Sequence, residues 1–182
     1  MESPSSPIKI KKNSTRWIKS ELIQYIIILV LILASFYAFA STRFYSEYLQ
    51  IPISTISAKI CTYLLNLVGI SASVQSVLIS IGEESVSISK GCDGIAPIIL
   101  VSLAILFFPT QSKRIKLYGI LKIVTILFLL NLFRIITLVL SKLYAPTIFD
   151  FLHIEFWQIT FIIVSSVLFI KWLSQVPIDA KN

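Results

Sequence analysis

The sequence has few charged residues and few of the side chains that usually carry enzyme chemistry. Charged residues make up 14% of its 182 residues, whereas a soluble domain averages about 25%. The chain has one histidine and two cysteines, and it has no glycine-rich phosphate loop, no HExxH motif and no cysteine or histidine pair at metal-ligand spacing. The low fraction of charged residues argues against a soluble domain. The missing motifs leave nucleotide and metal chemistry without support, so we expect no cofactor.

Apolar residues, by contrast, are abundant and gathered in long runs. They make up 56% of the chain, and four runs approach or exceed the roughly 17–25 residues of a transmembrane helix once their flanks are counted. The predicted spans are residues 22–40, 95–109, 117–140 and 156–173. The first run is longer than the about 7–15 apolar residues of a cleaved secretory signal, so it is interpreted as a retained span.

The distribution of cations predicts the orientation in the membrane. Five cations precede the first span and three lie between the second and third, whereas the segment 41–94 has three cations and four acids. Because loops rich in lysine and arginine stay cytoplasmic, both termini are predicted on the cytoplasmic side of the membrane and segment 41–94 on the outer side. The chain is accordingly divided into a basic arm (1–20), one membrane domain (21–176) and a cytoplasmic tail (177–182). The net charge of +7 then reflects topology and attraction to anionic lipids rather than nucleic-acid binding.

Two parts of the outer segment have distinct periodicities. Residues 53–70 place isoleucines and leucines on one helical face and polar residues on the other, which predicts an amphipathic helix along the outer interface. Their length leaves open whether this helix instead crosses the membrane. Residues 74–89 alternate apolar and polar side chains around a Gly82-Glu83-Glu84 turn, which predicts a short β-hairpin. The predicted fold class is an all-α polytopic membrane protein with about four transmembrane helices, an interfacial helix and an extracytoplasmic β-hairpin.

Cys92 lies between the predicted hairpin and the outer end of the second span, in the sequence Gly91-Cys92-Asp93-Gly94. Asp93 is expected to be the N-cap of that span, with Pro97 in the first helical turn. Cys92 then lies at a helix amino terminus, which favours a thiolate and therefore a nucleophile, whereas the neighbouring Asp93 carboxylate opposes a thiolate, and the sequence leaves open which effect wins. Two other interpretations stay open: a small buried apolar side chain, or a disulfide with Cys61.

Arg134 is a charged residue in an otherwise apolar span, where it costs about 2.5–3.5 kcal/mol near the bilayer centre. Counted along the helix from Leu117, it lies roughly 25 Å across the membrane, near the outer surface. Such a residue is a functional candidate by default, and an arginine that merely reaches the outer headgroups is the alternative. Asn131 lies one turn earlier on the same face and is expected to hold the guanidinium through its amide oxygen.

His153 is predicted in the short outer loop before the last span. By itself it is typical of an interfacial hydrogen-bonding residue. Three separate stretches of sequence, however, each place one reactive residue near the same outer boundary: Cys92, Arg134 and His153. A nucleophile, a cation that holds an oxyanion and a proton shuttle are what a thiol transpeptidase needs.

At these residues the chain resembles the exosortase/archaeosortase family. Gly91-Cys92-Asp93-Gly94 opens one span, Asn131-Leu132-Phe133-Arg134 closes the next, and a histidine stands at the start of the last. The resemblance covers roughly residues 74–173. The short chain looks most like the small exosortase subfamily of Bacteroidetes-type bacteria.

The resemblance implies a membrane thiol protease or transpeptidase that cleaves carboxy-terminal sorting signals of exported proteins through a thioester. It implies the roles of nucleophile, oxyanion stabiliser and acid/base for Cys92, Arg134 and His153. The neighbouring motif residues are expected to support them: Asn131, Asp93 and Gly94. The expected partners are exported proteins with a carboxy-terminal sorting helix, the lipid bilayer and a small membrane protein that completes the substrate groove, since the chain has fewer spans than the larger family members.

Two other classes of function stay open at the level of sequence. In a non-catalytic membrane scaffold or assembly factor, Arg134 binds a lipid headgroup or a partner's carboxylate and Cys92 only packs. A small transporter requires polar residues deep in several spans or repeated broken helices, and the sequence has neither beyond Asn131 and Pro97 near helix ends.

Overall fold

The computed structural model describes residues 14–89, 91–108 and 113–176. The helices within this part of the chain are α1 (Ser14–Ala40), α2 (Arg43–Tyr45), α3 (Ile51–Leu67), α4 (Ile95–Phe107), α5 (Lys113–Tyr144) and α6 (Trp157–Leu173), with π-helical turns at Ser46–Gln50 and Phe151–Phe156 and a 3-10 turn at Pro146–Ile148. The strands are β1 (Ser73–Gln75), β2 (Leu78–Ile81) and β3 (Glu84–Ser87). Residues 1–13 of the predicted arm and the predicted tail, 177–182, lie outside the described residues.

The helices have the length and composition of membrane spans. Three stretches of the described chain are long and apolar enough to cross a bilayer: Ile23–Ala40, Lys113–Tyr144 and Pro146–Leu173. The remaining predicted span corresponds to α4, which has 13 residues and is shorter than a full crossing. The structure therefore confirms a mostly helical, polytopic membrane protein with one small sheet.

Helix α5 is the centre of the fold, because both main clusters of buried side chains include its residues. One cluster joins α5 to α4 and α6 and contains Ile105, Leu127, Phe161 and Trp172. The other joins α5 to α3 and the sheet and contains Cys61, Leu65, Ile79, Ile88 and Ile135. A helix that packs on both sides in this way fixes the sheet relative to the membrane helices.

The end of α3 turns the chain sharply into the sheet. Gly69 has φ +85°, the Gly69 amide donates to the Asn66 carbonyl at 3.1 Å, and the Ile70 amide donates to the Leu65 carbonyl at 3.0 Å. This pair of bonds is the Schellman motif, which satisfies the last carbonyls of a helix and favours glycine at the left-handed position.

The sheet contains the predicted hairpin and one strand more. Strands β2 and β3 are antiparallel around Gly82 and Glu83, with Ile79 opposite Val86, which confirms the hairpin. Strand β1 pairs with the other side of β2, and the sequence analysis did not predict it. The β1–β2 turn has Ser76 at φ +56°, and because it has no glycine or asparagine, the usual sequence signal for such a turn is missing.

Gly119 provides a test of the α5–α6 packing. A Cβ at this buried position would collide with the indole ring of Trp172, so Gly119→Val should lower the free energy of unfolding by about 1–3 kcal/mol, the usual cost of overpacking. The measurement is unfolding in detergent micelles. Leu121→Val, at an exposed position of the same helix, is the control and should change little. Because Trp172→Ala removes the obstructing ring, the double variant should lose less stability than the two single losses combined; additive losses would contradict the contact.

Candidate active site

The site begins in the tight turn that connects the sheet to α4. The Cys92 amide donates to the Ser89 carbonyl at 3.0 Å, and Gly91 and Gly94 have φ +91° and +71°. The N-cap of α4 is Gly94 and not Asp93, so that sequence prediction was wrong. Asp93 Oδ1 instead accepts a hydrogen bond from the Ile95 amide at 3.1 Å. Gly94, which lies between these two residues in the left-handed conformation, moves the start of the helix by one position.

Asn131 on α5 holds this turn against the helix bundle. Its side chain is fully buried, and Nδ2 donates to the Asp93 carbonyl at 3.0 Å. A Cβ at Gly94 would lie 2.6 Å from the Asn131 Cγ, so only glycine allows this close approach. The expectation that the Asn131 oxygen holds the guanidinium of Arg134 was wrong: among the described residues Oδ1 has no hydrogen-bond partner, because the amide faces the turn.

Arg134 points inward to the thiol rather than outward to lipid headgroups. Only 6% of the residue is exposed. Its Nη2 donates to Cys92 Sγ at 3.2 Å and its Nη1 donates to the Gly91 carbonyl at 3.2 Å. The guanidinium carbon lies 5.6 Å from the centre of the Phe161 ring, a distance at which an aromatic face attracts a cation. A buried arginine paired in this way is not the headgroup-seeking residue of the alternative interpretation.

His153 completes the cluster from the π-helical turn before α6. Its Nε2 lies 2.7 Å from Cys92 Sγ, within hydrogen-bonding distance for a proton transfer. The imidazole stacks on the Phe149 ring: the ring centres lie 5.6 Å apart and the ring planes are nearly parallel at 16°. Aromatic pairs typically have ring centres about 4.5–7 Å apart. The stacking fixes the plane of the imidazole and therefore the direction of Nε2.

The thiol of Cys92 keeps its proton more tightly than an ordinary cysteine. Burial raises its pKa above the usual value, the Arg134 guanidinium and a hydrogen bond with Ser89 lower it, and the Asp93 carboxylate raises it. Together these effects raise the pKa of Cys92. The helix amino terminus, which we expected to favour a thiolate, therefore does not decide the resting state, and the thiol form prevails at neutral pH. Activation then requires a base, and His153 is in contact with the sulfur.

Cys61 is not available for a disulfide with Cys92. Both cysteines are free. Cys61 is fully buried on α3, where its thiol contacts the Leu132 carbonyl at 3.6 Å. Its burial is explained by packing, and the structural disulfide that the sequence left open does not form.

The structure places all three predicted reactive residues in one cluster and adds neighbours that the sequence analysis missed. Phe149, Phe161 and Ser89 contact His153, Arg134 and Cys92 respectively. Phe149 precedes His153 by four positions, a spacing that places two residues on one face of a helix, so it had a detectable signal. Phe161 had no such signal, because the sequence does not distinguish an aromatic residue that contacts the site from other aromatic residues of an apolar span. Within the described ranges, no group of three or more potential metal ligands occurs.

Comparison with known proteins identifies the family. Residues 19–170 match the family model described as Transmembrane exosortase (Exosortase_EpsH). The chain belongs to this family. Membership confirms the resemblance seen in the sequence and makes the chain a membrane protein of protein sorting and processing; the small subfamily stays a prediction. No curated protein and no solved structure matches the chain.

The influence of Arg134 on the thiol is measurable as a pH profile. In a Cys61→Ala background iodoacetamide alkylates Cys92 alone, and the rate of alkylation is proportional to the fraction of Cys92 that is a thiolate. Because the guanidinium lowers the pKa of Cys92, Arg134→Gln should move the midpoint of the alkylation profile to higher pH and slow the reaction at any pH below it. Arg43→Gln, which removes an exposed charge on α2, should leave the midpoint in place. A midpoint that stays or falls in Arg134→Gln would contradict the contact.

The close approach of Gly94 to Asn131 is also testable. Gly94→Ala adds a left-handed backbone penalty of about 1–2 kcal/mol and a steric collision of about 1–3 kcal/mol, so its loss of unfolding free energy should exceed that of Gly69→Ala. Gly69 has a similar φ of +85° but open space around its Cβ position, which makes it a control for the backbone penalty alone. Equal losses in the two variants, measured by unfolding in detergent, would show that Asn131 does not restrict the turn.

Proposed function

We propose that the protein is a membrane cysteine peptidase or transpeptidase that cleaves carboxy-terminal sorting signals of exported proteins. One observation carries the proposal: Cys92 Sγ has His153 Nε2 at 2.7 Å and Arg134 Nη2 at 3.2 Å. A thiol, a base and a fixed cation are the three groups that acyl transfer through a thioester requires. Membership in the exosortase family supports the same reaction class.

The proposed reaction follows from the positions of these atoms. His153 Nε2 takes the proton from Cys92, and Sγ attacks the carbonyl carbon of the scissile peptide bond. The carbonyl oxygen becomes an oxyanion, which the Arg134 guanidinium stabilises. The carbon–nitrogen bond then breaks, His153 returns the proton to the leaving amine, and the acyl group stays on sulfur as a thioester. An amine or water attacks the thioester and releases Cys92.

The topology of the proposal follows from the charge distribution. With both termini in the cytoplasm, the turn containing Cys92 faces the outside of a bacterial inner membrane. Exported proteins with a carboxy-terminal sorting helix then reach the thiol from the outer side, and their helices lie in the bilayer beside α4 and α5. Exposed apolar side chains on α5, including Leu121, Leu129 and Phe133, are suited to such a helix or to lipid. A small membrane protein is a candidate partner that completes this surface.

The test is the cleavage of a co-expressed exported protein that has a carboxy-terminal sorting helix. At matched membrane levels, Cys92→Ala should abolish the cleaved form, and Arg134→Gln should lower its rate about 100- to 1,000-fold, the usual effect of removing an oxyanion donor. Cys61→Ala is the matched cysteine control and should process normally. A wild-type adduct that hydroxylamine releases, absent from Cys92→Ala, would identify the thioester. Normal processing by Cys92→Ala would contradict the peptidase and favour the non-catalytic scaffold.

A further inference from the structure

Strand β3 is an edge strand that leads directly to the catalytic thiol. In the described sheet the strand order is β1–β2–β3, so β3 pairs with β2 on one side only. Its continuation through Ser89 reaches the turn with Cys92, and the Ser89 carbonyl accepts the Cys92 amide at 3.0 Å. An unpaired edge is a ready template for another strand.

The hydrogen-bond register shows which backbone groups of β3 are free to pair. The Ile88 amide donates to the Val77 carbonyl at 2.9 Å, and Val86 lies opposite Ile79, so residues 86 and 88 direct their amides and carbonyls to β2. In antiparallel strands, successive residues direct these groups to opposite sides. Ser85 and Ser87 therefore present their amides and carbonyls to the outer side of the sheet, and both residues are exposed.

A cavity of about 140 Å³ lies along this outer edge. Residues 85–89 form one wall, and the catalytic residues Cys92 and His153 line the same space. Ile135 and Leu138 of α5 and the ring of Phe149 provide apolar contacts there. The space therefore combines backbone groups that bind a strand, apolar surface for side chains, and the reacting atoms.

We propose that the segment of the substrate just before its sorting helix binds as an added strand on β3, paired with the backbone of Ser85 and Ser87, and that this pairing delivers the scissile carbonyl to Cys92. The inference rests on the proposed function and names how the same site binds its peptide. Strand addition supplies affinity through main-chain hydrogen bonds, and pockets for alternate side chains supply specificity. About four extended residues, at roughly 3.3 Å each, cover the edge from residue 85 to residue 89.

The direction of the added strand follows from the ends of β3. Glu84 at the start of the strand lies 3.9 Å from Lys142 near the carboxyl end of α5. Cys92, in the turn that follows the strand, contacts Arg134, two turns earlier on that helix. Strand β3 therefore runs from the outer end of α5 toward the membrane. An exported protein whose sorting helix is its carboxy-terminal part enters in the same sense, so the added strand is parallel to β3.

The first experiment removes one outward-facing amide without disturbing the β2 ladder. Ser87→Pro lacks that amide, and proline is tolerated on an edge strand. Cleavage of the sorting-helix reporter should fall roughly 5- to 100-fold, the range expected when a buried peptide group loses its partner, and should fall further than with Ser87→Ala, which keeps the amide. The rate of Cys92 alkylation should stay at the wild-type value, which shows that the catalytic turn is intact.

The matched control is a proline on the opposite edge. Val74 lies opposite Ile79, whose backbone groups face β3, so Val74 also presents its amide outward, but on β1. Val74→Pro should therefore cleave the reporter normally. If Ser87→Pro cleaves as well as Val74→Pro while Cys92→Ala is inactive, strand addition is wrong and the peptidase stands. If Cys92→Ala still cleaves, both proposals are wrong.

A second experiment replaces the first where Ser87→Pro does not accumulate. Ser87→Cys is combined with Cys61→Ala and Cys92→Ala, and reporters carry one cysteine at successive positions before the sorting helix. With an added oxidant, strand pairing predicts disulfide cross-links at alternate positions, because side chains on a strand alternate with a period of two. Cross-links at every position, or none, would overturn the proposal.

Discussion

The burial of the Arg134 charge is the constraint on which the rest of the structure depends. A guanidinium in an apolar helix is costly unless it is paired and hydrogen-bonded, and only 6% of this residue is exposed. Its two bonded partners in the described structure are the Gly91 carbonyl and the Cys92 sulfur. The charge therefore ties α5 to the turn before α4, and the same turn brings the sulfur to His153. These two partners bond Nη1 and Nη2, while Nε has no hydrogen-bond partner among the described residues. The groups that bond the arginine are also those that the proposed chemistry uses.

The turn that contains Cys92 depends on the absence of a side chain at Gly94 as well as on the side chains that hold it. Gly94 has no Cβ, so Asn131 approaches closely enough to bind the Asp93 carbonyl. Asn131 and Arg134 lie one helical turn apart on α5, and they hold the carbonyls of Asp93 and Gly91 on either side of Cys92. The sulfur is thus fixed by its neighbours in the chain. In the proposed reaction, a sulfur fixed in this way loses little entropy when a substrate carbonyl arrives.

The small sheet is the part of the structure on which the proposed binding of an extended peptide depends. Membrane helices satisfy their own backbone groups internally and offer none to a ligand, whereas an edge strand offers an amide and a carbonyl at every second residue. The sheet packs on α3 and α5 through Ile79 and Ile88, so this edge is held at a fixed distance from the thiol. If the edge binds the substrate as proposed, its position gives a functional reason for three short strands in a protein built mainly from helices.

The sequence alone determined the class of the protein, the β2–β3 hairpin and the three side chains that meet in one cluster, because hydrophobic length, alternation and charge are local properties. It did not determine the cap of α4, the partner of Asn131, the strand β1 or the cavity beside β3. These depend on contacts between distant residues: Asn131 meets Asp93 across 38 positions, and Arg134 meets Gly91 across 43. The local sequence around Asn131 and Arg134 is compatible with several hydrogen-bond partners. Only the packing of α5 against the turn decides which carbonyl faces which donor, because it places the Asp93 and Gly91 carbonyls beside these two side chains.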